Sequence, residues 1–266
     1  MTTEAVREPA VAGMFYPANA GELEGMLVEL LDGARDTGRA PKALIAPHAG
    51  YRFSGPTAAH VYARIAPVAD RIRRVVLLGP AHRWPFRGIA AHSAAYFRTP
   101  LSDVPVDEPA RDAVLQRPDV QTLDAAHAGE HSLEVHLPFL QHLVGDFQLV
   151  PLVLGDADAD AVASLLNELW GGPETLIVIS TDLSHFLDYD SAVARDRQTA
   201  EQILACRPEG IDDDAACGRV PLRGLLAAGR ERGMAMELID LCNTGDTADI
   251  RDRVVGYAAF AAHEVA

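Results

Sequence analysis

The sequence predicts a single α/β domain over residues 1–266, with a mainly parallel sheet that is flanked by helices on both faces. Short apolar segments alternate with segments of helical periodicity, and this alternation is typical of parallel strands joined by crossover helices. The 266 residues suit one large domain, and 48% of them are hydrophobic against 23% charged, which is enough apolar material for a sizeable core. No repeat, low-complexity tract or linker rich in Pro, Gly or Ser divides the chain.

The individual elements follow from local patterns. Apolar runs that end at Pro, Gly or small polar residues predict strands at 43–46, 75–78, 149–154, 176–179 and 236–241. Apolar residues at helical spacing predict helices at 22–34, 56–65, 158–170, 191–206 and 222–232. Short alternating segments within 88–107 predict a hairpin beside the main sheet.

Charge and composition exclude several classes of protein. The formal net charge is −15, with Asp and Glu spread along the chain, and phosphate backbones repel such a surface. No apolar run approaches the roughly 20 residues needed to cross a bilayer, and residues 1–13 lack the basic region and apolar core of a signal peptide. We therefore expect a cytoplasmic protein that binds neither nucleic acid nor membrane. Its three cysteines form no CxxC, so we expect no disulfide framework.

Three histidines each follow the end of a different predicted strand. His48 lies in PHAGY, His82 in GPAH and His185 in STDLSH. Because ligands of open parallel sheets bind outside the carboxyl ends of the strands, we expect these imidazoles to meet at one rim. Imidazole is a common metal ligand and the usual proton-transfer group near neutral pH. Ordinary packing would explain any one of them, whereas the repeated placement favours a metal or catalytic site.

Two residues are candidates for the anionic ligand that would bind a metal together with these histidines. Two neutral imidazoles and one anion can hold a divalent metal and leave positions open. Asp182 precedes His185 by three residues, so one helical turn would present both on one side, and Asp182 could instead orient a histidine. Cys217 is the other candidate, although an apolar-flanked cysteine is more often a small core residue. The acids at 212–214 would raise the pKa of its thiol.

A second polar cluster lies in EHSLEVHLPFLQHL. His131 and His136 are five residues apart, so on a helix they point about 140° apart, unlike the pair of an HExxH zinc protease. Pro138 interrupts that helix or starts a new one. One polar member, Glu134 or His131, remains a candidate for the pocket. The sequence has no GxGxxG, GxxxxGK[ST] or GxSxG motif, which disfavours dinucleotide, P-loop and serine-hydrolase functions.

Six motifs together resemble those of the Memo family, and the resemblance runs essentially from end to end. In order they are GMFYP, PHAGY, GPAH, EHSLEVHLPFLQ, STDLSH and ACGRVP. That family is similar in fold to class III, LigB-type extradiol dioxygenases, and in microbes it is often grouped as protein B of the AmmeMemoRadiSam system. The resemblance implies that His48, His82 and Cys217 are metal ligands. It implies that Asp182 and His185 are the further, catalytic residues of the pocket.

The resemblance also implies a cofactor and leaves three functions open. Fe(II) is the first expectation, and a thiolate in place of a carboxylate widens the choice to copper or zinc. We favour a dioxygenase-like redox enzyme in which His185 acts as general acid or base, oriented or charge-balanced by Asp182. We expect the pocket to bind a small-molecule or peptide ligand. The first alternative is a non-catalytic module that binds a peptide or a phosphopeptide in the same pocket. The second is an accessory partner of a radical-SAM modification system.

Overall fold

A computed structural model describes residues 5–34, 38–248 and 250–265, so that 1–4, 35–37, 249 and 266 of the predicted domain lie outside the described residues. The strands are β1 (Val6–Arg7), β2 (Ala43–Ala46), β3 (Arg74–Pro80), β4 (Ile89–Ala91), β5 (Tyr96–Arg98), β6 (Asp103–Pro105), β7 (Val120–Thr122), β8 (Gln148–Leu154), β9 (Thr175–Ser180), β10 (His185–Leu187), β11 (Ala235–Asn243) and β12 (Val254–His263). The α-helices are α1 (Ala20–Gly33), α2 (Tyr51–Tyr62), α3 (Glu108–Val114), α4 (Asp124–Ala128), α5 (Leu137–Val144), α6 (Ala159–Leu169), α7 (Tyr189–Leu204), α8 (Arg219–Glu231) and α9 (Thr244–Thr247). Three 3₁₀ helices span Ala63–Arg71, Glu134–His136 and Pro208–Gly210.

The main sheet has a parallel centre with antiparallel additions. The four central strands run in the order β2-β9-β3-β8, and every neighbouring pair among them is parallel. Strand β12 joins β2 and strand β4 joins β8, both antiparallel. The predicted α/β class is therefore confirmed, with a mixed sheet around the parallel centre.

The central strands bury both of their faces, which explains their continuous apolar sequences. In β3, Val76 and Leu78 contribute to the hydrophobic cluster that includes α6 and α8. Val75 and Leu77 contribute to the cluster on the other face, which includes α1, α2 and α5. Helices therefore cover the sheet from both sides, as the sequence predicted.

Two local predictions differ from the structure. Within 88–107, β4 belongs to the main sheet, whereas β5 and β6 pair with each other in a separate sheet that also contains β1. Helix α2 begins at Tyr51 rather than near Pro56, which lies inside it. The prediction placed Pro56 in the first turn, where proline is most readily tolerated, but the helix accepts it one turn later. Among the described residues, every helix is too short or too polar to cross a membrane.

Candidate metal centre

Two of the predicted histidines meet at the carboxyl end of the parallel strands. His48 follows β2 and His82 follows β3, and β9 separates these strands in the sheet. The two rings reach across the end of β9, with their centroids 5.0 Å apart and their planes nearly perpendicular. These two side chains therefore meet at one rim of the sheet, as their positions after parallel strands predicted.

His131 joins them from the loop that precedes the second 3₁₀ helix. Its ring stacks on His82 with a centroid separation of 4.6 Å and lies 5.3 Å from the ring of His48. One nitrogen from each of the three imidazoles lies within 4.8 Å of the other two. The sequence left open whether His131 or Glu134 faces the pocket. The structure places His131 there and buries Glu134 against Arg7.

Two glycines allow these segments to approach one another. A Cβ at Gly79 would lie 2.7 Å from Oγ of Ser132, so only glycine lets the loop that carries His131 pack against the end of β3. A Cβ at Gly218 would collide with the backbone carbonyl of Ser180 at the end of β9. The glycines in GPAH and ACGRVP therefore explain how distant segments converge on one site.

The hydrogen bonds of His48 determine which ring nitrogen is available. Oγ of Ser180 lies 2.6 Å from Nδ1 of His48 and donates its only hydrogen to the carbonyl of Ser132 at 2.5 Å. Nδ1 must therefore carry the proton, which leaves a lone pair on Nε2. Burial lowers the pKa of His48 well below its ordinary value, and the neighbouring His82 lowers it further. His48 is thus a neutral imidazole suited to bind a metal.

Glu130, which no sequence motif singled out, fixes the other two histidines. Its carboxylate accepts hydrogen bonds from Nδ1 of His82 at 2.9 Å and from the backbone N–H groups of His131 and Ser132, both at 2.9 Å. Burial alone would raise the pKa of Glu130, but these hydrogen bonds outweigh it and lower the value to about 2. The only sequence signal for this role is an acid immediately before His131.

The side chain of His131 is half-buried and neutral. Burial lowers its pKa to about 4, although the nearby Glu130 opposes that shift. Its Nδ1 has no hydrogen-bond partner among the described residues. A buried ring nitrogen without a partner costs free energy in the absence of a ligand, and metal coordination would offset that cost.

Cys217 and Asp182 also contact His48. Sγ of Cys217 is 3.2 Å from Nε2 of His48 and accepts a hydrogen bond from the backbone N–H of Asp182 at 3.3 Å. Oδ1 of Asp182 accepts from the backbone N–H of His48 at 2.7 Å, and burial raises the pKa of Asp182 to about 7.

The thiol of Cys217 is protonated when no metal is present. Burial and the carboxylate of Asp182 raise its pKa above the usual range. The acids at 212–214, which the sequence predicts to raise this pKa, instead engage arginines: Asp212 pairs with Arg195 and Asp213 pairs with Arg219. A thiolate at this position therefore requires a cation to stabilise it.

His185 does not share a helical turn with Asp182, so that expectation was wrong. Asp182 lies in a loop and His185 begins β10, because the intervening backbone N–H groups of Leu183 and Ser184 bond to Gly256 and Asp196. Nδ1 of His185 donates to the carbonyl of Leu183 at 2.8 Å, which leaves Nε2 free. Partial burial of the ring lowers its pKa from the ordinary value.

Two of the clefts that reach these residues contain His185. One, of about 360 Å³, is lined by His131, Asp182 and His185 together with apolar side chains. The other, of about 580 Å³, is lined by His185, Cys217 and charged side chains. Asp182 and His185 therefore share a cleft even though they share no helix.

The donor set fits a divalent transition metal. Neutral imidazoles and a thiolate suit iron, copper and zinc better than magnesium or calcium, which prefer oxygen ligands. The nitrogen cluster consists of His48, His82 and His131, and Cys217 adjoins it through His48. The assignment of His48, His82 and Cys217 as ligands, and of His185 and Asp182 as catalytic groups, stays a prediction.

The chain is similar to known proteins both in sequence and in fold. The sequence model of the family described as Memo-like protein matches residues 7–261. A MEMO1 family protein from Methanopyrus kandleri is 34% identical, in an alignment that covers 95% of this chain and 97% of that protein. A MEMO1 family protein from Methanosarcina acetivorans is 35% identical, over 96% of this chain and 98% of that protein. The crystal structure of an uncharacterized protein from Escherichia coli K12 matches with a TM-score of 0.56 and 13% identity, over 84% of this chain and 99% of that one. That likeness concerns the fold alone.

Proposed function

The chain belongs to the Memo family, and on that premise we propose that it is a metal-dependent redox enzyme with a dioxygenase-like, non-heme site. The observation that carries the proposal is the cluster of imidazole nitrogens from His48, His82 and His131, which lie within 4.8 Å of one another. Fe(II) is the metal that we propose, and the neighbouring thiol makes copper and zinc the alternatives to test.

The proposed ligands are His48, His82 and Cys217, and we add His131 to this set. For His48 and His82, hydrogen bonds from Nδ1 to Ser180 and Glu130 leave Nε2 as the nitrogen with a lone pair. Both imidazoles are therefore oriented before any metal binds. Cys217 would supply the negative charge, since its thiolate becomes favourable only beside a cation.

Two further residues that line the cleft, His185 and Asp182, can transfer protons. When bound, the metal would supply Lewis-acid and redox activation of the substrate. His185 is neutral near pH 7, because its pKa is lowered, and its free Nε2 can accept a proton from a ligand in the cleft. Asp182 has a pKa of about 7, so it can exchange a proton near neutral pH.

Metal analysis of the purified chain tests this proposal. The protein would be purified without added metal, reconstituted anaerobically with Fe(II), Cu(II) or Zn(II), and assayed for bound metal and for oxygen uptake with small aromatic and peptide candidates. We expect His48→Ala and Cys217→Ala to lose most of the bound metal. His142→Ala is a matched control, because His142 pairs with Glu24 away from the site. Wild-type metal content in both site variants would overturn the proposal.

A further inference from the structure

Lys42 is the only lysine of the sequence, and all other members of its 23 Lys and Arg residues are arginines. It lies immediately before β2, and the neighbouring strand β9 begins at Thr175. Because these two strands are parallel, Lys42 lies at the amino end of the sheet, opposite the end where the candidate metal ligands meet. Its amine is therefore a nucleophilic group that the proposed redox function does not use.

Two backbone carbonyls hold the amine of Lys42 in place. Nζ donates to the carbonyl of Gly172 at 2.8 Å and to that of Thr175 at 2.7 Å. Within the described part of the chain these are its only hydrogen-bond acceptors, and no carboxylate forms an ion pair with it. An ammonium has three hydrogens to donate, whereas a neutral amine has two hydrogens and a lone pair. The two carbonyls therefore satisfy a neutral amine completely and leave its lone pair free.

The surroundings of Lys42 favour the neutral amine as well. Burial lowers its pKa to about 8, and the positive charge of Arg232 lowers it further, although Glu264 and Glu174 oppose the shift. Arg232 lies over the ring of Trp170 at 4.1 Å, and it forms no ion pair with a carboxylate of the described residues. Lys42 is only half-buried, so a small reagent can reach it. Desolvation beside another cation is one of the ways in which proteins activate a lysine as a nucleophile.

We propose that Lys42 is a modification site that takes an acyl group from a small activated donor, either an acyl phosphate or an acyl thioester. Nζ attacks the acyl carbonyl carbon and forms a C–N bond. The C–O bond to phosphate or the C–S bond to the thiol breaks, and the leaving group takes the bonding electron pair. The surplus proton of the amine passes to solvent. Arg232, without a carboxylate partner among the described residues, attracts the anionic donor.

Peptide mass spectrometry of the full chain tests this inference, with acetyl phosphate and an acetyl thioester as probes. Since the sequence has one lysine, digestion separates a label on Lys42 from a label on the α-amino group. Initial rates would be measured between about pH 6 and pH 10, with the chain folded or unfolded in guanidinium chloride. We expect half-maximal acylation of Lys42 near pH 8 in the folded chain and near pH 10.4 in the unfolded chain. The donor that reacts faster identifies the class of reagent.

The comparison of rates at pH 7.5 is a second readout on the wild-type chain. A larger neutral fraction should make the folded chain react about tenfold faster than the unfolded one, even though a less basic amine is a weaker nucleophile. Lys42→Arg should abolish the label at this position and leave the label on the α-amino group unchanged.

Charge variants locate the cause of the reactivity. Arg232→Gln should shift the half-maximum to higher pH and slow acylation at pH 7.5 about twofold, because the repulsion of the ammonium is lost. Glu264→Gln should have the opposite effect, because the attraction that stabilises the ammonium is lost. Arg98→Gln is the matched control, since Arg98 lies in β5 and pairs with Asp103.

Three results would overturn the inference. The first is a half-maximum near pH 10 for Lys42 in the folded chain. The second is slower acylation of the folded chain than of the unfolded chain at pH 7.5 with both probes. The third is a shift of the half-maximum in Arg98→Gln as large as those in Arg232→Gln and Glu264→Gln. The first two use the wild-type chain, so they hold even if a variant fails to fold.

Discussion

Glu130 accepts two hydrogen bonds from His82, one from Nδ1 at 2.9 Å and one from the backbone N–H at 2.6 Å. The same carboxylate accepts the backbone N–H of His131. One buried acid therefore sets both the ring orientation of His82 and the position of the loop that carries His131.

Glu130→Gln should lower metal affinity by about 10- to 100-fold, the usual effect of removing a carboxylate that orients a histidine ligand. The amide cannot accept all of these hydrogen bonds, so His82 would lose its fixed tautomer. Competition with a chelator measures the affinity. Glu24→Gln, which alters the exposed pair with His142, should have no effect. Equal affinity in wild type and Glu130→Gln would contradict the role assigned to Glu130.

The buried pair of Arg7 and Glu134 anchors the loop that carries His131. Glu134 also accepts hydrogen bonds from Val11 and from the hydroxyl of Tyr16, and Arg7 donates to the carbonyl of Glu130. Arg7→Met should lower the free energy of unfolding by about 3–5 kcal/mol, because it leaves the carboxylate of Glu134 buried without its counter-ion.

A double-mutant cycle checks that explanation. Arg7→Met combined with Glu134→Gln should cost less than the sum of the two single changes in urea denaturation, since no uncompensated charge remains. Arg230→Met, at an exposed pair with Glu209, should change stability little. Additive effects of the Arg7 and Glu134 changes would show that the two residues contribute independently.

The central strands could be predicted because burial on both faces leaves a continuous apolar signature. The strand predicted at 43–46 has the bounds of β2, and the one at 149–154 lacks a single residue of β8. The segment at 88–107 could not be resolved, because alternation describes a strand but not its partner. Strand β4 pairs with β8, which lies about 60 residues further along the chain.

The site was predictable only in part, because contacts between segments that are distant along the chain position some of its residues. His48 and His82 follow parallel strands, so the topology alone brings them together. His131 lies in a loop whose position depends on close packing against Gly79, which no local pattern reveals. From the residues alone Cys217 was one of two candidate anionic ligands, and only the family resemblance favoured it, because it lies far along the chain and reaches the site through the close approach at Gly218.

Buried histidines should make the protein sensitive to acid. Burial lowers the pKa of His127 to about 3, whereas an unfolded histidine has a value near 6.5. Between these values the unfolded chain binds a proton that the folded chain does not, so stability is lost as the pH falls from about 6.5 towards 3. Each such histidine should account for about 2 kcal/mol of the loss between pH 7 and pH 5.

His127→Gln should therefore reduce the difference in the free energy of unfolding between pH 7 and pH 5, measured in urea. The comparison should be made on metal-free protein, so that loss of metal does not contribute. His142→Gln, at the exposed pair with Glu24, should leave the difference unchanged. An unaltered pH dependence in His127→Gln would show that His127 is not protected from protonation in the folded chain.

Asp182 should show the opposite pH dependence, because its pKa is raised instead. The folded value is about 7 and the reference value is 3.8, so between them the unfolded chain is ionised while the folded chain keeps a proton. Stability is therefore lost as the pH rises through this window, and the full penalty is present at pH 8. Asp182→Asn removes the ionisable group while its amide oxygen can still accept the backbone N–H of His48.

Metal-free Asp182→Asn should be more stable than wild type at pH 8, by on the order of 1–3 kcal/mol, and the gain should shrink at pH 5. The same change should lower any oxygen uptake by the Fe(II)-loaded chain, because the carboxylate that exchanges protons near pH 7 is gone. Urea denaturation at both pH values and the oxygen electrode measure the two effects. Asp146→Asn, at an exposed acid, is the control. If Asp182→Asn were less stable than wild type at pH 8, the carboxylate would be ionised and stabilising in the folded chain, and its assignment as a proton-exchanging group would be wrong.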